Sequence, residues 1–139
     1  MTKRLAIVAL VLLALYGASW PLRHSQGQDA KTPAQVVYSQ NGVHIVLSAS
    51  GNKVAPMKMS KFAMSLSDVE GRPIPNASVT MNLQMPRMFC GVIPTTVQST
   101  KPGAYEAAGI PVMRGRWEAE ASISIGKEHF SVTLPFDVG

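Results

Sequence analysis

From Trp117 to Ile125 the chain alternates without a break: Trp117, Ala119, Ala121, Ile123 and Ile125 on one side, Glu118, Glu120, Ser122 and Ser124 on the other. A period of two over nine residues fits only an extended strand with one face on a core and one in water. Gly126-Lys127 reverses the chain into Phe130, Val132, Leu134 and Phe136, again every second residue. Residues 117–136 are therefore a long antiparallel hairpin, and a hairpin with one greasy face needs a second apolar layer to cover it.

The rest of the chain supplies that layer in the same form. Val36–Ser39 and Val43–Ser48 flank Gln40-Asn41-Gly42, and an Asn-Gly pair between two β-type runs is a strong hairpin signal. Phe62, Met64 and Leu66 alternate with small polar residues, as do Val79, Met81 and Leu83, with the turn Glu70-Gly71-Arg72-Pro73 between them. Thr95–Thr100 and Tyr105–Ala108 flank Lys101-Pro102-Gly103. Eight candidate strands in the last hundred or so residues, with no helical period, predict an all-β antiparallel sandwich of about 7–8 strands. At 139 residues and 46% hydrophobic content, the chain can bury one such core.

Ahead of the domain, Lys3-Arg4 precedes an unbroken apolar run from Leu5 to Tyr16 and the small residues Gly17, Ala18 and Ser19. That layout is a hydrophobic leader helix over residues 1–22, either a cleaved signal peptide or, with Trp20 at the interface, a retained N-terminal membrane anchor. Both alternatives predict export to the periplasm or another extracytoplasmic space. Residues 23–33 are polar and aperiodic, which predicts a flexible linker, and the sandwich domain occupies 34–139. Cys90 is the sole cysteine, so the domain stands on its core with no internal disulfide.

Charge narrows the function. The net charge is +5, and from Lys31 onward ten Lys and Arg face seven Asp and Glu, dispersed and without interleaved aromatics, so nucleic-acid binding is not expected. An enzyme is not expected either, since there is no Gly-x-Ser-x-Gly, no phosphate-binding glycine loop, no Cys-x-x-Cys and no His/carboxylate cluster.

Sulfur is the remaining chemistry. Met85-Pro86-Arg87-Met88-Phe89-Cys90 holds three sulfur side chains within six residues. If each turn reverses the chain, loops 49–61 (Met57, Met59), 85–94 (Met85, Met88, Cys90) and 109–116 (Met113) share one end of the sandwich. Met64 and Met81 fall on core-facing parity, and His44 and His129 fall near the opposite end. Thioethers and a thiolate are soft donors that suit Cu(I), whereas Zn(II) favours imidazole or several thiolates and Ca(II) or Mg(II) carboxylates. The alternative is apolar packing, because methionine is also a flexible gap-filler and a lone cysteine a small hydrophobe.

Four short motifs also carry a resemblance. Gly71-Arg72-Pro73-Ile74-Pro75-Asn76-Ala77, Met85-Pro86, Pro102-Gly103-Ala104-Tyr105 and Met113-Arg114-Gly115-Arg116-Trp117 resemble, in order and separation, the motifs of the YtkA-like domain family, whose relatives include FixH-type proteins. The resemblance covers about residues 60–136. It implies an exported immunoglobulin-like β-sandwich, often membrane-anchored, with copper handling and assembly of copper-containing respiratory oxidases in part of the family. Many relatives follow the Met-Pro pair with His-x-His or a second Met; here Met88 stands at the first of those positions and Cys90 at the second. The metal residues implied are Met85, Met88 and Met113, with Cys90 a candidate by its chemistry, and the partner expected is a membrane or periplasmic protein. The other function is a metal-free interaction or assembly module that uses a sheet edge or an apolar loop end.

Overall fold

A computed structural model describes residues 34–51, 53–88 and 91–139. The leader of residues 1–22, the linker 23–33 and Cys90 lie outside the described residues. Residues Lys31–Gly139 form a compact unit, and all the core side chains and strand pairings described below belong to it, so it carries its own folding core.

Nine strands build the unit: β1 (Gln35–Gln40), β2 (Val43–Ser50), β3 (Ser60–Asp68), β4 (Ser78–Gln84), β5 (Ile93–Pro94), β6 (Thr96–Lys101), β7 (Ala104–Gly109), β8 (Gly115–Ile125) and β9 (Glu128–Val138). They pair antiparallel into a five-stranded sheet, β1-β2-β3-β7-β6, and a four-stranded sheet, β5-β4-β8-β9. This is an all-β, immunoglobulin-like sandwich, one strand richer than the alternation predicts. The extra strand, β5, has only two residues and so leaves no period to read. It pairs with β4 in one sheet, and β6 then joins the other sheet beside β7. Thr95 makes the switch, its amide and hydroxyl both donating to the Met81 carbonyl at 3.1 and 2.8 Å.

The alternating positions face inward as expected. Ile45, Leu47, Phe62, Leu66, Leu83, Trp117, Ile123 and Leu134 are almost fully buried, and Met64 and Met81 are buried with them. Phe62 from one sheet and Phe136 from the other meet edge to face with ring centroids 5.2 Å apart, a contact that ties the two layers together. Asn41 and Gly42 both have positive φ (51° and 77°), the conformation that a two-residue type I′ hairpin demands and that Asn-Gly supplies at least cost.

The turns at one end are locked to each other. The Tyr105 hydroxyl donates to the Ala77 carbonyl and accepts from the Ala77 amide, each at 3.1 Å. Gly103, at φ 71°, presses so closely on the neighbouring turn that a Cβ there would lie 2.7 Å from the Leu66 carbonyl oxygen and 2.8 Å from the Pro73 Cβ. Asp68 holds the same corner by accepting from the Arg72 side chain at 2.7 Å and from the Glu70 and Arg72 amides at 2.9 Å each.

Candidate functional site

The strand directions carry β2, β4 and β7 toward one end of the sandwich and start β3 and β8 from it, so loops 51–59, 85–92 and 110–114 cluster there. Two of them are joined directly, since the Met57 amide donates to the Pro111 carbonyl at 2.8 Å. His44 and His129 lie toward the other end, each hydrogen-bonded to the serine opposite it, Ser39 at 2.7 Å and Ser124 at 2.9 Å. Neither imidazole is therefore a neighbour of the methionine loops.

Within the cluster the methionines differ. Met85 and Met113 are half-buried against the core, whereas Met88 is 51% exposed and Met57 and Met59 are 70% and 67% exposed. Met85 leaves the end of β4 and reaches across to β8: a Cβ at Gly115 would come within 3.0 Å of its Cε. Gly115, at φ 129°, is thus both a conformational requirement and a clearance for Met85. Two residues back, the Met113 carbonyl accepts from the Trp117 indole Nε1 at 2.9 Å, which fixes the 110–114 loop to the largest fully buried side chain of the core.

Met85 and Met88 line one open cleft of about 520 Å³ with Gln84, Pro86, Arg87, Gly91, Val92 and Glu118. The Met88 amide donates to the Met85 carbonyl at 3.3 Å, the turn that brings both side chains to that cleft. Met113 is near it through Gly115 but does not line it. Met59 lines a separate cleft with Lys53, Lys58 and Lys61, so the shared end divides into two surfaces. Glu118 could not be assigned to the sulfur cleft from local pattern. It sits on the polar face of β8, and only its pairing with Gln84 across the sheet brings it beside Met85.

Two thioethers on one open cleft can offer soft, neutral donors to a metal without the desolvation of a buried charge. Among the described residues no three His, Cys, Asp or Glu side chains are grouped to hold an ion.

The four sequence motifs resolve into two contacting pairs. Gly71–Ala77 and Pro102–Tyr105 clasp each other at the turn end, through Gly103 and Tyr105, and there serve the fold. Met85-Pro86 and Met113–Trp117 meet at the loop end, through Met85 and Gly115. Of the second pair, Met85 and Pro86 line the methionine cleft.

No family model matches the chain, and no curated protein matches it. Solved structures do. A DUF4426 family protein from Pseudomonas aeruginosa is similar at a TM-score of 0.57 and 13% identity, over 75% of this chain and 94% of that one. A copper-bound variant of FetP from uropathogenic Escherichia coli is similar at a TM-score of 0.54 and 13% identity, over 76% and 95%. A DUF4785 family protein from Legionella pneumophila is similar at 0.56 and 16% identity over 70% of this chain, which spans only 28% of that protein. At such identities the likeness speaks for the architecture, and this chain shares with these proteins an immunoglobulin-like β-sandwich.

Proposed function

We propose that the domain is an extracytoplasmic, non-enzymatic copper(I) protein of the YtkA-like, FixH-related kind. The observation that carries this is the placement of Met85 and Met88 on one open cleft, with Met85 reaching across to Gly115, two residues from Met113. Met85 and Met88 would hold the ion as thioether donors, and Met113 and Cys90 would complete the set, Cys90 on its chemistry and its place in the sequence alone. Such donors stabilise the reduced ion and leave it exchangeable, as a carrier or buffer requires. The fold shared with the copper-bound FetP variant supports copper as the metal. The recipient would be a membrane or periplasmic protein, as in the assembly of a copper-containing oxidase.

Anaerobic titration of residues 31–139 with Cu(I) against a competing chelator tests this, beside a Met85→Leu/Met88→Leu/Cys90→Ser variant. Tight one-to-one binding that the variant loses is expected. No binding above background, or binding the variant retains, would leave a metal-free interaction module.

A further inference from the structure

Eight large apolar side chains are strongly exposed among the described residues, and six of them belong to the three loops at one end: Met57, Met59, Met88, Val92, Ile110 and Val112. The other two, Val37 and Val69, stand apart on β1 and on the turn after β3. Scattered apolar exposure is ordinary, but concentration at one pole of a small domain marks a contact surface.

Charge identifies the contact. The same three loops carry Lys53, Lys58, Arg87 and Arg114 and not one Asp or Glu. The turns at the other pole are balanced, with Asp68, Glu70 and Glu128 against Arg72, Lys101 and Lys127. Lys53, Lys58 and Lys61 also line a cleft of about 330 Å³ together with Val54, Ala55 and Met59, a basic recess beside an apolar tip. Lys61 there pairs with Glu106 at 2.9 Å, whereas Lys53 and Lys58 are exposed and have no acidic partner among the described residues.

Apolar side chains on loops whose own charged residues are all basic suit an anionic bilayer, with Glu118 of the adjoining methionine cleft an acidic neighbour on β8. The tips enter the interfacial region, and the cations meet lipid phosphates. The Met57–Pro111 hydrogen bond holds two of the tips together, so they are presented as one surface. The chain also enters the sandwich at this pole, because the Ala34 carbonyl accepts from the Ala49 amide at 2.9 Å just ahead of loop 51–59. We infer that this loop end is a membrane-docking surface that seats the domain on anionic phospholipid, with Met59, Ile110 and Val112 inserting and Lys53, Lys58 and Arg114 on the headgroups. The docking is independent of whether the neighbouring cleft holds copper.

The test is co-sedimentation of residues 31–139 with vesicles of phosphatidylcholine alone and of phosphatidylcholine with phosphatidylglycerol. Binding is expected to the mixed vesicles, to fall steeply with salt, and to be weak on phosphatidylcholine alone. Lys53→Glu/Lys58→Glu and Met59→Ser/Val112→Ser should each weaken it at least ~tenfold, the scale on which interfacial apolar area and basic charge act. Lys101→Glu/Lys127→Glu, at the other pole, should leave it unchanged. All these positions are exposed, and an unchanged near-ultraviolet circular dichroism spectrum verifies the fold of each variant. Absence of vesicle binding, equal loss in the Lys101/Lys127 variant, or indifference to Met59→Ser/Val112→Ser would overturn the inference. So would a loop-dependent dimer that ignores lipid, which would assign the surface to a second copy. The Met59→Ser/Val112→Ser variant keeps Met85, Met88, Cys90 and Met113, so its Cu(I) titration fails only if the copper proposal fails.

Discussion

Replacing Gly103 with alanine is the sharpest probe of how the sandwich is closed. Two costs add there. An L-residue at φ 71° sits in the left-handed region, which disfavours a Cβ by roughly 1–2 kcal/mol. The new methyl would also lie 2.7 Å from the Leu66 carbonyl oxygen and 3.0 Å from the Ile74 amide nitrogen, backbone atoms that themselves hydrogen-bond at 3.0 Å and cannot swing aside as a side-chain tip can. Relief requires β3 and the β6–β7 turn to part, straining the 2.7 Å bond from the Leu66 amide to the Gly103 carbonyl, and overpacking of this kind costs about 1–3 kcal/mol. The expected loss is therefore roughly 2–5 kcal/mol, much of the stability of a small domain. Gly126→Ala is the control: φ is 60°, but nothing lies within 4 Å, so only the conformational cost of roughly 1–2 kcal/mol remains. Urea denaturation of residues 31–139, with slopes shown to be equal, measures both. If the two variants lose the same stability within about 0.5 kcal/mol, the close contact at Gly103 contributes nothing and the reasoning is wrong.

Tyr105→Phe removes both bonds to Ala77 while keeping the ring in place, and should cost roughly 1–3 kcal/mol in the same denaturation assay; a cost near zero would mean that water replaces the hydroxyl freely. Trp117→Ala should cost roughly 3–5 kcal/mol because the ring is almost fully buried. Trp117→Phe retains most of that burial but releases the Met113 carbonyl, so amide hydrogen exchange should rise in residues 110–114 ahead of the rest of the domain. The Arg72 side chain, then its amide, hold the Asp68 carboxyl below its ordinary value. A depressed folded-state pKa gives stability that is complete above the unfolded value of about 4 and is lost as pH falls through the lower folded one, so Asp68→Asn should lower the neutral plateau of a stability-versus-pH curve, leave the stability in acid nearly unchanged, and so flatten the limb between them.

The architecture was legible because a strand writes its burial into every second residue. Trp117–Ile125, Phe62–Leu66 and Val79–Leu83 each show the period, and the structure buries the side chains it marks, except that Val79 and Ile125 near the strand ends are half-buried. Asn41-Gly42 fixed one hairpin by turn chemistry alone, and counting reversals was enough to send the methionine loops and the histidines toward opposite ends. The two-residue strand β5 was not legible, being shorter than any period.

What the sequence by itself determined was therefore the class of fold, the inward faces and the pole on which each loop lies, all properties of local alternation and chain reversal. Which loop residues share a surface was decided only by tertiary structure. The β4–β8 register brings Glu118 to Gln84, Met85 crosses to Gly115, and Met59 is parted from Met85 and Met88 into its own lysine-lined cleft. The same holds for the clasp between Tyr105 and Ala77, two residues that are 28 apart in sequence. Contacts of this kind depend on how strands from distant parts of the chain are set beside one another, and local alternation constrains which face a side chain takes but not which neighbour it meets.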